Sequence, residues 1–406
     1  MKLFLDKKFL IIVFVGIILR GFAIYFMGDN EVDNEWGIML NNLDQNQILS
    51  VRSIDGIPVP NIFMPPLYPV FLYLIKIPFS SYDYYLPAVF IIQLIMSAFS
   101  IYLIQKIFEE IFTLNESYLG TVIFTLFPLN IYAVSQISSI TLQILLINLF
   151  LFSFIQFFKK INFYNSLFLS ISSALLILLR GEFFVFVIFS LIFAAFKKRK
   201  ILKIFFTGLL ILLLVSPYIY RNYNIFGVIT ITKSSGYNLL KGNHPNTVVE
   251  GTGMFGVVEK IIPDVEKELN ELAAMGPIPK HDLLKDKILL NQALVYIKDD
   301  PIKYLKLYFQ KFFSFIFIDF NSSYPNYYSI FHLLPKILLS ITTILGIVLT
   351  LSMRFNLSNY FIIFYFSNIF LFSFFFILPR YSLSLLTIQI ILSLYGLNKI
   401  KNKFNI

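Results

Sequence analysis

The chain has 406 residues, 57% of them hydrophobic and 18% aromatic, with only 14% charged and no cysteine; its mean hydropathy is +0.76. A soluble domain carries about a quarter charged residues, so a water-soluble globule is excluded, as are collagenous, disordered and disulfide-framework classes. The formal charge of +10 would suit nucleic acid, but the cations flank apolar runs and so report membrane orientation. These numbers indicate an all-α polytopic membrane protein.

Apolar runs of about 17–25 residues are read as spans. The first, near 9–27, follows Lys7 and Lys8; it is too long for a signal peptide and no small-residue cleavage site follows, which predicts an uncleaved span. A polar first loop covers 28–64. Pro65-Pro66-Leu67-Tyr68-Pro69 opens an apolar stretch to Phe79, short and proline-rich, which reads as an interfacial helix. Further spans are expected near 85–107, 118–136, 138–158, 162–179, 182–196 and 201–220, closing an N-terminal membrane module of residues 1–220. The segment 221–303 is hydrophilic and reads as a small α+β loop domain. Turns and short strands are expected between Gly227 and Gly256, then helices from Pro263 to Met275 and from Asp282 to Asp300, the second stopped by Pro301. A C-terminal module, 304–406, opens with an interfacial helix at 304–320 carrying Lys306 and Lys311, followed by spans near 334–352, 359–378 and 382–397. That makes about ten transmembrane helices with both termini on one side.

Lys7-Lys8, Lys106, Lys159-Lys160, Lys197-Lys198-Arg199-Lys200 and Lys399, Lys401 and Lys403 fall on a single side under this count, which makes that side cytoplasmic. Both polar segments then face outward. Residues 221–303 hold ten Lys/Arg and ten Asp/Glu, so this loop is neutral and no nucleic-acid partner is implied.

Chemistry is sought on that outer face. Asp29, Glu31, Asp33 and Glu35 crowd into seven residues, followed by the only tryptophan, Trp36. The plain reading is a solvated acidic loop with an interfacial aromatic; the sharper one is a general base or a metal ligand at the membrane surface. Arg180, Arg221, Lys233, Lys241 and Arg380 are the outer cations, with Arg20 inside the first span. Singly each can snorkel; converging, they would form an anion pocket, since the guanidinium fork suits phosphate. His244, His281 and His332 show no ligand spacing, and no Walker or GxGxxG motif is present, so no nucleotide cradle is expected. No cofactor is implied. A divalent metal would be compatible with the carboxylates but finds no support in the spacing of His, Cys or Asp.

Asp33-Asn34-Glu35-Trp36, then Pro65–Pro69, Pro217-Tyr218-Ile219-Tyr220-Arg221-Asn222, Gly236-Tyr237-Asn238, Gly242-Asn243-His244-Pro245 and Pro379-Arg380-Tyr381 follow one another in an order that resembles the C-type glycosyltransferases. The resemblance is to bacterial members of glycosyltransferase family 39, relatives of protein O-mannosyltransferases and of the lipid A aminoarabinose transferase. Residues 293–311 resemble that family's interfacial helix. Two departures stand out: the turn near Gln136–Thr141 lacks an acidic residue, and Gly181-Glu182 follow Arg180 where proline is common.

The resemblance implies an inverting enzyme of the bacterial inner membrane, with its site facing outward. It would move a hexosyl or pentosyl unit from a polyprenyl-phosphate donor to a hydroxyl on a lipid, glycan or protein acceptor, in building a cell-envelope glycan such as lipopolysaccharide. Asp33 would be the base, with Glu35 its competitor. Arg221 and Arg380 would hold the donor phosphate, with Lys233 and Arg180 contributing. Trp36, Tyr68, Asn222, Tyr237, Asn243 and Tyr381 would line the substrate pocket. The rivals are an O-antigen-ligase-type enzyme, a secondary transporter, which would need midplane sites and a repeat, and a non-catalytic scaffold.

Overall fold

The computed structural model describes residues 6–32, 34–79, 82–250, 263–319, 322, 329–351 and 357–404. Apolar sequence becomes helix wherever a full backbone ladder is the only way to satisfy amide groups in lipid. The helices of the N-terminal half are α1 (Lys7–Met27), α2 (Glu35–Asn46), α3 (Leu67–Lys76), α4 (Tyr82–Glu109), α5 (Leu114–Leu126), α6 (Pro128–Tyr132), α7 (Ile140–Lys159), α8 (Phe163–Leu179), α9 (Phe183–Lys198) and α10 (Ile201–Phe226). A two-residue hairpin, Ser53–Ile54 against Ile57–Pro58, lies between α2 and α3. Then come α11 (Ser235–Gly242), α12 (Pro263–Ala273), α13 (His281–Asp299), α14 (Pro301–Ile316), α15 (Ile330–Thr350), α16 (Leu357–Ser373), a 3₁₀ stretch Pro379–Leu385 and α17 (Leu386–Phe404).

Helices stand where all ten spans are expected, but they are not equally long. Among the described residues, six are long and apolar enough to cross a membrane: α1, α4, α7, α10, α15 and the joined Pro379–Lys403. The fifth and sixth helices meet at 58° and make a seventh if taken as one broken span. The break has a local cause: Phe127 precedes Pro128 and is extended, since the proline ring disfavours a helical residue before it. Helices α8, α9 and α16 have 17, 16 and 17 residues, or about 25 Å, somewhat less than a hydrocarbon core. For α16 the reason is visible: the apolar run expected to reach 378 leaves the helix after Ser373 and turns extended.

Two other expectations need correction. The last span of the N-terminal module continues through Arg221 and Asn222 to Phe226, where Gly227 ends it at φ +76°, so the boundary drawn at 220 falls inside a helix. In place of strands, the described part of 227–250 holds α11, and 221–303 is helical wherever a regular element is described.

The core runs through α4, α7, α8, α16 and α17, with Tyr360 stacked 4.4 Å from Phe154. Where α15 and α17 cross, Gly346 faces Gly396; a Cβ on Gly346 would come within 1.9 Å of the Leu392 carbonyl oxygen. Such close backbone approach is how helices associate in lipid, where apolar burial provides no drive. Outward faces stay apolar: Phe14, Phe22 and Phe26 of α1 and Leu209 and Leu213 of α10 are exposed, as lipid contact requires.

Candidate functional site

The first loop starts at the end of α1 and is fastened at once. Ile137 N–H donates to Asp29 Oδ2 at 2.6 Å, Asp29 N–H to Ser135 O, and Gln136 Nε2 to Met27 O. Asp29 is thereby tied to the turn that lacks an acid of its own. Glu31 is exposed. Asp33, the expected base, lies outside the described residues. Asn34 caps α2 by accepting from Trp36 N–H, which puts Glu35 in the first turn, where the helix dipole favours a carboxylate. Trp36 packs edge-on to the buried Tyr68 at 4.9 Å, so α2 rests on α3.

The end of the first loop is clasped from the long loop. Arg221 donates from Nη1 to Asn61 O (2.7 Å) and to Asn222 Oδ1 (2.8 Å). Lys233 N–H donates to Ile62 O, Asp282 accepts from Ile62 N–H, and Arg52 Nε pairs with Asp282 at 2.7 Å. Phe63 meets the Tyr237 ring edge at 5.2 Å. Asn222 is fully buried, its amide donating to Thr230 O and Ile231 O. The Asn243 amide donates to Leu239 O and Phe374 O and accepts from Lys311. Both asparagines, expected as pocket walls, thus hold the chain together.

Helix α11 is the piece these contacts position. Asp286, buried in α13, accepts from Tyr237 N–H at its N-terminal end; burial raises this carboxyl above its ordinary value, an effect tempered by the Tyr237 amide and by Lys233. At the other end the fully buried Lys311 donates to Gly242 O, a cation where the dipole wants one. Phe376 N–H donates to Asn238 O at 3.1 Å, docking α11 on the extended segment that follows α16. This docking delivers Lys241. Its side chain is 4% exposed, with Nζ 4.1 Å from the Phe376 ring centroid and 5.8 Å from that of Tyr237. Burial, and then Arg380, lower its amine to about 8, while Glu35 acts in the opposite sense. Glu35, Lys241 and Arg380, about two hundred and one hundred and forty residues apart in turn, are electrostatic neighbours.

No protein-family model and no curated protein sequence matches this chain. Solved structures do. An oligosaccharyltransferase of Archaeoglobus fulgidus, tethered through a disulfide to an acceptor peptide with the NVT sequon, superposes with a TM-score of 0.56 at 12% identity, covering 98% of this chain and 50% of that one. The archaeal oligosaccharyltransferase from the same organism, in complex with an inhibitory peptide and a dolichol-phosphate, gives 0.52 at 11% identity with the same coverage. The chain shares its fold with these structures. It spans about half the length of the structures it matches. No match narrows this to family 39.

Of the other expected site residues, Arg180 lies next to Tyr381, 5.3 Å above its ring, and pairs with Glu182 at 2.9 Å. The departure from proline at 181–182 thus supplies that cation with a partner. Arg221 is held over Tyr218 and Phe226 at 5.6 and 5.4 Å. Among the described residues no three His, Asp or Glu side chains gather as metal ligands. The sequence marks Lys241 as an outer cation without placing it beside Glu35 and Arg380. The available signal was its spacing from Tyr237: i and i+4 share a helix face, a relation hidden while 235–245 is read as turns.

Proposed function

We propose that this protein is an inverting glycosyltransferase that moves a sugar from a polyprenyl-phosphate carrier to an acceptor hydroxyl at the outer face of the cytoplasmic membrane. The observation that carries the reading is the meeting of a carboxylate at the start of α2 with two cations from α11 and the Pro379–Leu385 stretch, on a C-type glycosyltransferase fold. The dolichol-phosphate in the Archaeoglobus fulgidus oligosaccharyltransferase complex supports a lipid-phosphate donor. A carrier delivered by the membrane also needs no nucleotide cradle.

In this mechanism Asp33, or Glu35 beside it, takes the proton of the acceptor hydroxyl. The acceptor oxygen bonds to the anomeric carbon as the carbon–oxygen bond to phosphate breaks on the opposite face, so configuration inverts. The carrier phosphate leaves with the electron pair and one more negative charge than it had as a diester. Arg380 meets that charge as it grows, where electrostatic stabilisation counts most. Arg221 serves the site by holding Asn61, and Arg180 by backing Tyr381.

The test uses purified protein, a polyprenyl-phosphate sugar labelled in the sugar, and membranes of a strain lacking the gene as acceptor source. Free carrier phosphate should accumulate. Asp33→Asn or Glu35→Gln, whichever is the base, should slow it by about 10²–10⁴ with donor binding retained. Unchanged turnover in both variants removes the proposed base; no release from the wild type removes the proposed reaction.

A further inference from the structure

Arg20 lies in the second half of α1, a helix long and apolar enough to cross a membrane, and its side chain is fully buried. An ionisable residue in such a helix marks a function by default. Three of its bonds go to neutral oxygens on three helices. Nε donates to Ser97 Oγ of α4 at 2.6 Å, and Nη1 to Gly16 O of α1 and to Thr125 O of α5, each at 3.1 Å. Gly16 lets α1 come this near, since a Cβ there would stand 2.7 Å from Thr125 Cγ2 and 2.8 Å from Ile101 Cδ1. Thr125 O belongs to the last turn of α5, just before the extended Phe127, where the bend into α6 interrupts the backbone ladder. Pro128 has no N–H to offer Phe124 O, and Asn130 Nδ2 donates there instead at 3.0 Å. Arg20 does the same for Thr125 O. The broken helix is thus capped by an amide and a cation, the cation facing the negative end of the α5 dipole.

The bent segment is held at its far end by the same helix. Gln136 Nε2 donates to Met27 O, at the last residue of α1, at 2.9 Å. Asp29 N–H donates to Ser135 O, and Ile137 N–H to Asp29 Oδ2. Arg20 and Met27 are about two helical turns apart, so α1 grips residues 125–137 at both ends. From Asp29 the chain leads directly to the proposed site. Val32 O lies against Gly37, where a Cβ would stand 2.0 Å from it, and Gly37 belongs to the first turn of α2 with Glu35 and Trp36.

We infer that Arg20 is a positioning residue. By fixing the break between α5 and α6 it fixes the turn at 133–137, and through that turn the first loop and the carboxylate of Glu35. The assignment rests on the reaction proposed above only for the use made of that placement; the placement itself is measurable without any reaction. Trp36, the only tryptophan, follows Glu35 and is 8% exposed. Quenching of its fluorescence by acrylamide therefore reports how firmly α2 is seated.

The test quenches the purified full-length protein well below its melting temperature. Arg20→Met keeps a long side chain and loses the hydrogen bonds; its quenching constant should be about twice that of wild type or more, as expected when a local element opens. Arg20→Lys keeps the charge but not the planar fork that reaches Ser97 and Thr125 together, and should open Trp36 by a smaller factor. Should the methionine variant fail to fold, the lysine variant is read alone. Gln136→Leu releases the far end of the same segment and should open Trp36 as well; combined with Arg20→Lys it should add little, because both free one element. Ser190→Ala breaks the buried bond to Tyr360 between α9 and α16. It is the control for general loosening and should leave the quenching unchanged. In the Arg20 variants kcat for carrier-phosphate release should fall by about ten- to a hundredfold with donor KM kept within about threefold, the pattern of a displaced carboxylate. Trp36 as shielded as in wild type in every Arg20 variant that folds, or opened equally by Ser190→Ala, overturns the assignment. So do additive effects of Arg20→Lys and Gln136→Leu, which would mean separate routes to α2, and so does wild-type kcat in a variant whose Trp36 has opened. A wild type that releases no carrier phosphate removes the proposed reaction and leaves the placement to be decided by Trp36.

Discussion

Gly242→Ala is the sharpest probe of how the site is assembled. The glycine ends α11 one residue beyond Lys241, and a Cβ there would lie 2.5 Å from Phe376 N, 2.6 Å from Phe375 C and 2.8 Å from Phe375 O. All three are backbone atoms, so no rotamer change relieves the contact; an ordinary carbon contact requires the segments to part by about 1 Å. Overpacking of this kind costs about 1–3 kcal/mol. The bonds that dock the helix, Phe376 N–H to Asn238 O at 3.1 Å and Asn243 Nδ2 to Phe374 O at 2.8 Å, lengthen together. Lys241 then withdraws from the Phe376 ring and from Arg380. The expected outcome is a melting temperature a few degrees lower and release of carrier phosphate slowed by about tenfold or more. Gly21→Ala, whose Cβ meets nothing within 4 Å, is the control and should change neither. An alanine variant at 242 that melts lower but turns over as wild type would refute the claim that this docking places a cation the reaction needs.

Arg221→Met removes a charged donor from Asn61 O and Asn222 Oδ1 and should cost about 2–3 kcal/mol, seen as a lower melting temperature; unchanged melting with lost donor binding would return Arg221 to the phosphate. Topology has its own check in a chain without cysteine: Glu268→Cys, on the exposed face of α12, should react with an impermeant maleimide on intact cells. Labelling only after permeabilisation would reverse the orientation and put the proposed site on the wrong side of the membrane.

The helices were legible because their cause is local. Any apolar run of sufficient length must satisfy its amides within itself, and Pro301 marked the end of the helix before it; the same proline also opens the next helix, which the Asp300 side chain caps by accepting from Lys303 N–H at 3.0 Å. What escaped the sequence depends on distant partners. Phe374–Leu378 is as apolar as the helix before it; it turns extended because Asn238 and Asn243 are there to take its amide and carbonyl. Residues 235–242 carry two glycines and look like a turn; they become a helix because Asp286 and Lys311, from other helices, occupy its two ends. The acidic first loop and the motif order pointed to the end of the bundle where Glu35, Lys241 and Arg380 are neighbours. They did not separate Arg221, spent on Asn61, from Lys241.

That separation follows from electrostatics once the neighbours are known. Arg221 is satisfied by carbonyl oxygens of its own chain, and Arg180 by Glu182; adding a phosphate to either would compete with bonds already made. Lys241 differs in sign and setting. Its folded-state amine titrates below its ordinary 10.5, so between about 8 and 10.5 the unfolded chain binds more protons and stability rises with pH. Below about 8 the buried ammonium costs about 2–3 kcal/mol. In the reaction proposed, Arg380 offers a positive charge to the leaving phosphate as that group takes on its second negative charge.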